Sequence, residues 1–543
     1  MAWLYPYTYP VAASALGYLS LFATLDQRRD VAIRRLTTDT LENESLHTDE
    51  ALGVSFSFEL DAIELIKALD TLGMPLFAAD RDETAPLVFA GGPVVMTNPE
   101  PYADFFDFFL VGEGEATLGP LIDQLKALRG LPKAQKLLKL AESVPGIYVP
   151  SLYRIDYEPG GPIQAITPCH DTLPLPIRKQ YVGDMSATIA SSPILSPDAY
   201  FANTFLVEVM RGCPHRCRFC LASYSMLPAR GPDFGLIRQH IERGLQYTRK
   251  IGLVGALISE HPEFEALCDY LRTIPDLQIG SASLRADTLT DDIARTFVHG
   301  GQKTVTLAVE SGSERLRKRI NKHLSTDAIL NAADVVARNG IPKLKLYMMV
   351  GLPDETPDDL EASIALVKTL KQTHPALNIQ FGCSTHVPKA ATPFQWVARE
   401  TSTELGKKHR YLQKQLAHIA QFRPSSSKWD TLQAVLARGD RRLSRWLVEF
   451  VRQGANLGAI NRASKALQDL NTGNGGLEPI PPLAWYAERE RPFNEVLAWD
   501  TLHLGVDKAV LYTESGLGAT ARATVFQAKD RAYVDRPTAP TPP

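Results

Sequence analysis

Hydrophobic positions in the first third of the chain follow two rhythms that take turns. Short apolar or alternating stretches at residues 2–5, 31–35, 51–58, 86–90 and 108–111 read as strands. Helical stretches separate them. An uncharged one runs from about 11 to 25. In another, Ala62, Ile66, Leu69 and Leu72 share a face that Gly73 and Pro75 bring to an end. A third ends near residue 128. This alternation predicts an α/β fold, with a doubly wound, Rossmann-like parallel sheet over residues 1–130. Ligands in such sheets lie beyond the carboxyl ends of the strands. The candidate edge here is Tyr7 to Ser14, Ser55 to Ser57, Gly91-Gly92-Pro93 and Gly112-Glu113-Gly114-Glu115. Glycines there let backbone amides approach a ligand.

Residues 131–200 read as a proline-rich connector of short strands, with a hairpin turn at Pro159-Gly160-Gly161-Pro162. Strand–helix alternation then resumes over 201–395. Strands are predicted at 206–210, 251–258, 278–284, 304–309, 344–350 and from 378 onward. Asn339-Gly340 caps one intervening helix. Thr356, Pro357 and Asp359 open another as N-cap, first residue and capping acid. Residues 396–543 are mainly helical, and the tail TAPTPP reads as disordered. Between Trp396 and Lys465, fourteen Lys or Arg face five Asp or Glu, with a basic run at Arg438, Arg441 and Arg442. That excess reads as a solvated helix face, with docking of a polyanion as the alternative.

The first of the central strands runs into LVEVMRGCPHRCRFC, where Gly212 and Pro214 turn it into a loop. Cys213, Cys217 and Cys220 sit on that loop with C-x3-C-x2-C spacing. Thiolates so spaced can hold a 4Fe–4S cluster and leave one iron open. A zinc site would want a fourth ligand, and a disulfide would want an oxidising compartment. His215 lies in the loop, and no Cys or His pair follows at finger-like spacing. Cys169, Cys268 and Cys383 are scattered.

Composition changes little in this picture. The 543 residues carry a net charge of −3, which gives the whole molecule no electrostatic pull on nucleic acid. Cysteine usage fits a reducing, cytoplasmic setting. The uncharged start lacks a basic region and is broken by Pro6 and Pro10, so it reads as a strand and a buried helix and not as a membrane span.

C-x3-C-x2-C after a strand, with Phe219 before the third cysteine, resembles the signature of the radical S-adenosylmethionine (SAM) enzymes. The resemblance implies a partial (β/α)6 barrel over 201–395 whose cluster chelates SAM. One electron from an external flavodoxin- or ferredoxin-type donor would then split SAM into methionine and a 5′-deoxyadenosyl radical. Its SAM contacts would come from the strand ends. Gly255 and Glu260 would meet the methionine part, although the segment departs from the family's G-G-E pattern. Glu310, Ser311 and Gly312 would lie near the ribose and carboxylate, and Gly351 beside the adenine. Arg285 is a cation at a strand end, suited to the carboxylate.

The segments GGP and PEPYADFFDFFLVGEGE resemble the N-terminal domain of cobalamin-dependent radical SAM proteins. Ser55, Ser57, Gly91, Gly92, Pro93, Gly112, Glu113 and Gly114 would be the cobalamin contacts, and no D-x-H-x-x-G supplies a histidine to cobalt. The N-terminal domain has no cysteine, unlike the methylthiotransferase branch, and none follows Cys383. What remains resembles the C-methylases, in which methylcobalamin passes a methyl group to a substrate radical. The alternatives are a radical SAM enzyme of another type with a non-corrinoid first domain, and a non-enzymatic Fe–S protein. The substrate class expected is a small molecule.

Overall fold

The computed structural model describes residues 1–471 and 478–517. Its first sheet contains β1 (Ala2–Tyr5), β2 (Arg34–Thr37), β3 (Ala51–Ser55), β4 (Leu87–Gly91), β5 (Phe108–Leu110) and β6 (Ile147–Tyr148). Their spatial order is β2-β1-β3-β4-β5-β6, parallel except for the last pair. Order reverses between β1 and β3, which makes their carboxyl ends the switch point of the sheet. The uncharged stretch near the start breaks at an extended Ala15 into a turn and the helix Leu16–Asp26. The sheet reaches past residue 130. The helix Lys133–Ser143 and β6, both from the stretch read as connector, complete it, and antiparallel β6 covers its edge.

Strands β7 (Tyr153–Tyr157) and β8 (Ile163–Pro168) form the hairpin expected around Gly160-Gly161. Short β9 (Ile177–Arg178) pairs with Leu502–His503. Next come β10 (Phe205–Met210), β11 (Lys250–Gly255) and β12 (Gln278–Ser281), all parallel. A second sheet holds β13 (Thr304–Glu310), β14 (Lys343–Val350), β15 (Asn378–Thr385) and β16 (Gln421–Pro424). Leu284 pairs with Leu307 and joins the two sheets, so six strand–helix units close partway into a barrel. β16, from the region read as helical, adds a seventh parallel strand.

Alternate residues of these strands pack under the helices. Val207, Val209, Ile251, Leu253, Val305 and Leu307 are all buried there, and the residues between them face the concave side. Thr356 and Asp359 form the expected capping box. No helix of the described residues is long and apolar enough to cross a membrane.

The basic run is not a solvated face. Arg438 and Arg442 are buried. Arg441 donates to Glu100 Oε2 at 3.0 Å and to the Tyr148 hydroxyl at 2.9 Å, which straps the C-terminal helices to the first domain. Arg442 pairs with Asp440 at 2.8 Å and stacks 4.2 Å over the Tyr157 ring. Helical spacing of arginines looks the same in water and against buried carboxylates, so the pattern alone misleads. The TAPTPP tail lies outside the described residues.

Candidate active site

The carboxyl end of β10 carries the cysteine loop. Its backbone is pinned from several sides. Arg218 N donates to Ile320 O at 3.0 Å, and Cys220 N donates to Cys217 O at 3.0 Å. Asn321 Nδ2 donates to the carbonyls of His215 and Arg216 at 3.2 and 2.9 Å. The Tyr224 hydroxyl shares its one proton between two acceptors, Arg216 O at 2.9 Å and Glu514 Oε2 at 2.8 Å, so the helix Lys508–Ser515 braces the loop. Cys217 is buried, while Cys213 and Cys220 are half-buried.

Burial pushes the Cys213 thiol up and the Cys217 thiol up to about 12; Cys220 raises both further, and Cys213 adds to the rise at Cys217. Such thiols keep their protons at neutral pH unless a metal displaces them. The Lys322 ammonium works the other way on Cys217, favouring a thiolate. The donor set therefore fits a cluster: three thiols on one pinned loop, with the buried Lys322 cation beside the deepest. The described residues bring no three His, Cys, Asp or Glu side chains together as ligands of one metal ion. A cubane takes each thiolate at a separate iron and so asks for a wider set.

The expected SAM contacts fall into two groups. Glu260, Arg285 and Glu310 gather around the cysteine loop. Glu260 hydrogen-bonds His215 of that loop. Arg285 is held by both oxygens of Asp287, at 2.9 and 2.7 Å, and donates to Lys322 O at 3.2 Å. Glu310 stands at the end of β13 with φ +68° and accepts from Lys322 Nζ at 3.0 Å. Burial works against the Lys322 ammonium, and Glu310 and Cys217 together more than offset it. Arg285 is thus a buried, partnered cation and not a free one.

The second group joins the barrel together. Phe219 packs among Leu316, Ile320, Leu352 and Phe394. Gly351 N donates to Glu355 Oε2 at 2.8 Å. Ser311 Oγ accepts from Ser313 N at 3.1 Å, and Gly312 N donates to Ser363 Oγ at 2.9 Å. A Cβ on Gly312 would stand 2.3 Å from Ser363 Cα in the helix Pro357–Thr373. A Cβ on Gly255 would similarly stand 2.8 Å from Met210 O. Gly312→Ala is expected to cost ~1–3 kcal/mol through overpacking, read as a lowered urea midpoint, with cluster content reduced in proportion to folded protein.

The family described as Radical SAM superfamily matches residues 207–367, the barrel that bears these residues. The family described as Radical SAM proteins, N-terminal, matches residues 21–150. The chain belongs to the radical SAM superfamily. It is a radical SAM enzyme, and the superfamily's 4Fe–4S cluster and SAM are its cofactors.

Relatives extend the match beyond the barrel. The uncharacterized protein MJ0966 of Methanocaldococcus jannaschii is 30% identical over 82% of this chain and 90% of its own length. The uncharacterized methyltransferase PH0819 of Pyrococcus horikoshii is 27% identical over 52% of this chain, which spans 58% of that protein. A tRNA-2-methylthio-N(6)-dimethylallyladenosine synthase of Chlorobium phaeobacteroides is 23% identical over 30% of this chain and 39% of its own. Among solved structures, the cobalamin-dependent SAM radical enzyme OxsB, with aqua-cobalamin and SAM bound, aligns with 98% of this chain and 82% of its own at 13% identity and a TM-score of 0.49.

Several side chains of this radical SAM site give no signal in the sequence. Lys322 and Asn321 follow the short helix Glu314–Arg319 and reach the cysteine loop only through the fold. Glu514 comes from almost 300 residues away, a separation of 290 from Tyr224.

Proposed function

We propose that this radical SAM enzyme is a cobalamin-dependent C-methylase whose corrinoid lies between the two domains, served by a flavodoxin- or ferredoxin-type donor in the cytoplasm. One observation carries the reading: the carboxyl edges of the first sheet and of the barrel face each other. After β3, Glu59 pairs with Lys389, which follows β15. After β5, Glu113 pairs with Arg211 at 2.9 Å and with Arg230, both close to the cysteine loop. A cofactor at the switch point of the first sheet therefore looks across at the cluster. The name of the relative PH0819 adds support for methyl transfer.

The residues at that edge fit a corrinoid unevenly. On the side of β1, β3 and β4, Tyr7 and Phe58 are exposed, Ser57 is open, and Gly91, Gly92 and Pro93 are partly open. On the side of β5 the space is taken. A Cβ on Gly112 would stand 2.1 Å from Gln180 O, and one on Gly114 would stand 2.6 Å from the Leu21 side chain. Glu113 is bound to Arg211, Arg230 and Val182 N. The contacts proposed are thus Ser55, Ser57, Gly91 and Pro93; Gly92, where a Cβ would stand 2.4 Å from Phe56 O, is set aside with Gly112, Glu113 and Gly114. A corrinoid there would supply methyl transfer to carbon. The chain's own part is to hold SAM against the open iron through Glu260, Arg285 and Glu310, and to keep water from the facing edges.

The filled β5 side favours a second reading, in which the first domain holds no corrinoid and the chemistry is another radical SAM reaction. Product analysis separates the two. A methylase consumes SAM twice, so reduced protein given a substrate pool and cobalamin should form 5′-deoxyadenosine and S-adenosylhomocysteine together. Formation of 5′-deoxyadenosine alone, with S-adenosylhomocysteine indifferent to cobalamin, would favour the second.

A further inference from the structure

The concave face of the barrel carries chemistry that neither the cysteine loop nor the strand ends use. On β14, Leu344, Leu346, Met348 and Val350 are buried under the helices. Successive strand residues point to opposite faces, so Lys343, Lys345, Tyr347 and Met349 line the hollow. Tyr347 is 42% exposed although it sits in mid-strand. On β15, Ile379, Phe381 and Cys383 are buried, and Gln380, Gly382 and Ser384 face the hollow with some exposure.

A complete barrel fills this space with layers of side chains. Here Gly252, Gly280 and Gly382 carry none, and Leu206 fills the space beside Gly252. An added Cβ would meet nothing closer than 3.7 Å at Gly280 on β12 or 3.6 Å at Gly382 on β15. Gly382 lies directly beside the Lys345–Tyr347 pair, with those side chains its neighbours at 3.9 and 3.6 Å. Met349 packs with the cluster of residues around Phe219. Tyr347 stands two residues further in, about 7 Å along the strand.

The charges around this hollow are unequal. Glu310 at its rim is taken by Lys322, and Arg285 by Asp287. Lys345 instead has a phenol for its polar partner. Its Nζ stands 3.3 Å from the Tyr347 hydroxyl and 4.7 Å from the ring centroid. Among the described residues no carboxylate pairs with this ammonium, so an incoming anion would give it the opposite charge that the neutral Tyr347 hydroxyl does not.

We infer that the hollow of the barrel takes an anionic small molecule, bearing a carboxylate or a phosphate, with Lys345 as its cation and the Tyr347 hydroxyl as a second donor. The inference rests on reading the barrel as the reaction chamber. It adds the substrate's chemical class and the residues that select it. Gly382 supplies room for the anion beside the pair, and the distance from Phe219 leaves the remainder of the molecule to extend toward the cluster.

The probe is pyridoxal 5′-phosphate, an anionic aldehyde that condenses with an amine with loss of water. Cyanoborohydride then fixes the adduct for peptide mapping of the anaerobically purified holoenzyme. Lys345 should be labelled roughly tenfold faster than the exposed Lys368, as an anion-focusing site would be. Phosphate or citrate should slow the labelling, and neutral glycerol should not. Slowing by phosphate alone assigns a phosphate ligand, and slowing by citrate alone a carboxylate. Gly382→Leu should fill the hollow and bring Lys345 labelling down to the rate of Lys368. If that variant does not fold, Tyr347→Phe keeps the ring, drops the hydroxyl and should weaken protection by the anion. Labelling of Lys345 no faster than Lys368, or indifferent to both anions, overturns the inference. That result beside intact corrinoid retention and SAM cleavage would leave the proposed function in place.

Discussion

Replacing Cys213, Cys217 and Cys220 together by alanine is expected to give a folded, colourless protein that binds no iron and cleaves no SAM. The wild-type chain, reconstituted anaerobically, should be brown, carry about four irons and release 5′-deoxyadenosine on reduction. The effect is total because the three thiols are the cluster's only protein ligands in this reading. Loss of fold is not expected. The loop is pinned by Ile320 O, Asn321 and Tyr224 through its backbone, and not through the sulfurs. Iron analysis with far-ultraviolet circular dichroism checks both halves. A triple variant that still binds about four irons would move the cluster elsewhere.

The second large effect lies between the domains. Glu113→Ala should destabilise the protein by about 3 kcal/mol, because it leaves the Arg230 guanidinium, on a side chain only 9% exposed, without its carboxylate. Arg211 keeps Glu208 and Glu115, at 2.8 and 2.9 Å. The Val182 amide loses its acceptor, at 3.0 Å. Urea unfolding reads the cost. Hydrogen exchange should localise it to the segments around Val182 and Arg230, with little change at β14. Unchanged exchange there would mean that the latch adds nothing to the interface.

The same carboxylate gives a pH signature. Burial would raise the Glu113 pKa, but Arg211 and Arg230 outweigh it and hold the carboxyl below the usual range. A depressed folded value contributes stability that is fully present above the unfolded pKa of ~4.3 and is lost as pH falls through the folded one. Wild type should therefore lose stability relative to Glu113→Ala below about pH 4, and the gap should be constant above about pH 6.

Much of the fold is legible in the sequence because strands buried on one or both faces announce themselves. The alternation at Val207, Val209, Leu344 and Leu346 marks the barrel, and its spacing with helices marks parallel sheets. The cysteine loop is legible for a different reason: its spacing is local. Contacts between distant segments are not local, which is why Lys322, Asn321 and Glu514 escape notice. Gln421–Pro424 escapes as a strand because it is short, polar and ends in proline. The glycines divide instructively. Gly91 and Gly112 lie at strand ends, and sequence cannot tell that a Cβ on Gly112 would stand 2.1 Å from Gln180 O while one on Gly91 would meet nothing closer than Leu110 Cβ at 3.6 Å.

The account turns most directly on the visible spectrum of the anaerobically reconstituted chain after incubation with hydroxocobalamin and desalting. The proposed function predicts retention of about one corrinoid per chain, lost in Gly91→Leu and Ser57→Trp while the iron content stays the same. Retention far below one corrinoid per chain in the wild type, or retention that neither substitution changes, would contradict a corrinoid between the facing edges of the two sheets.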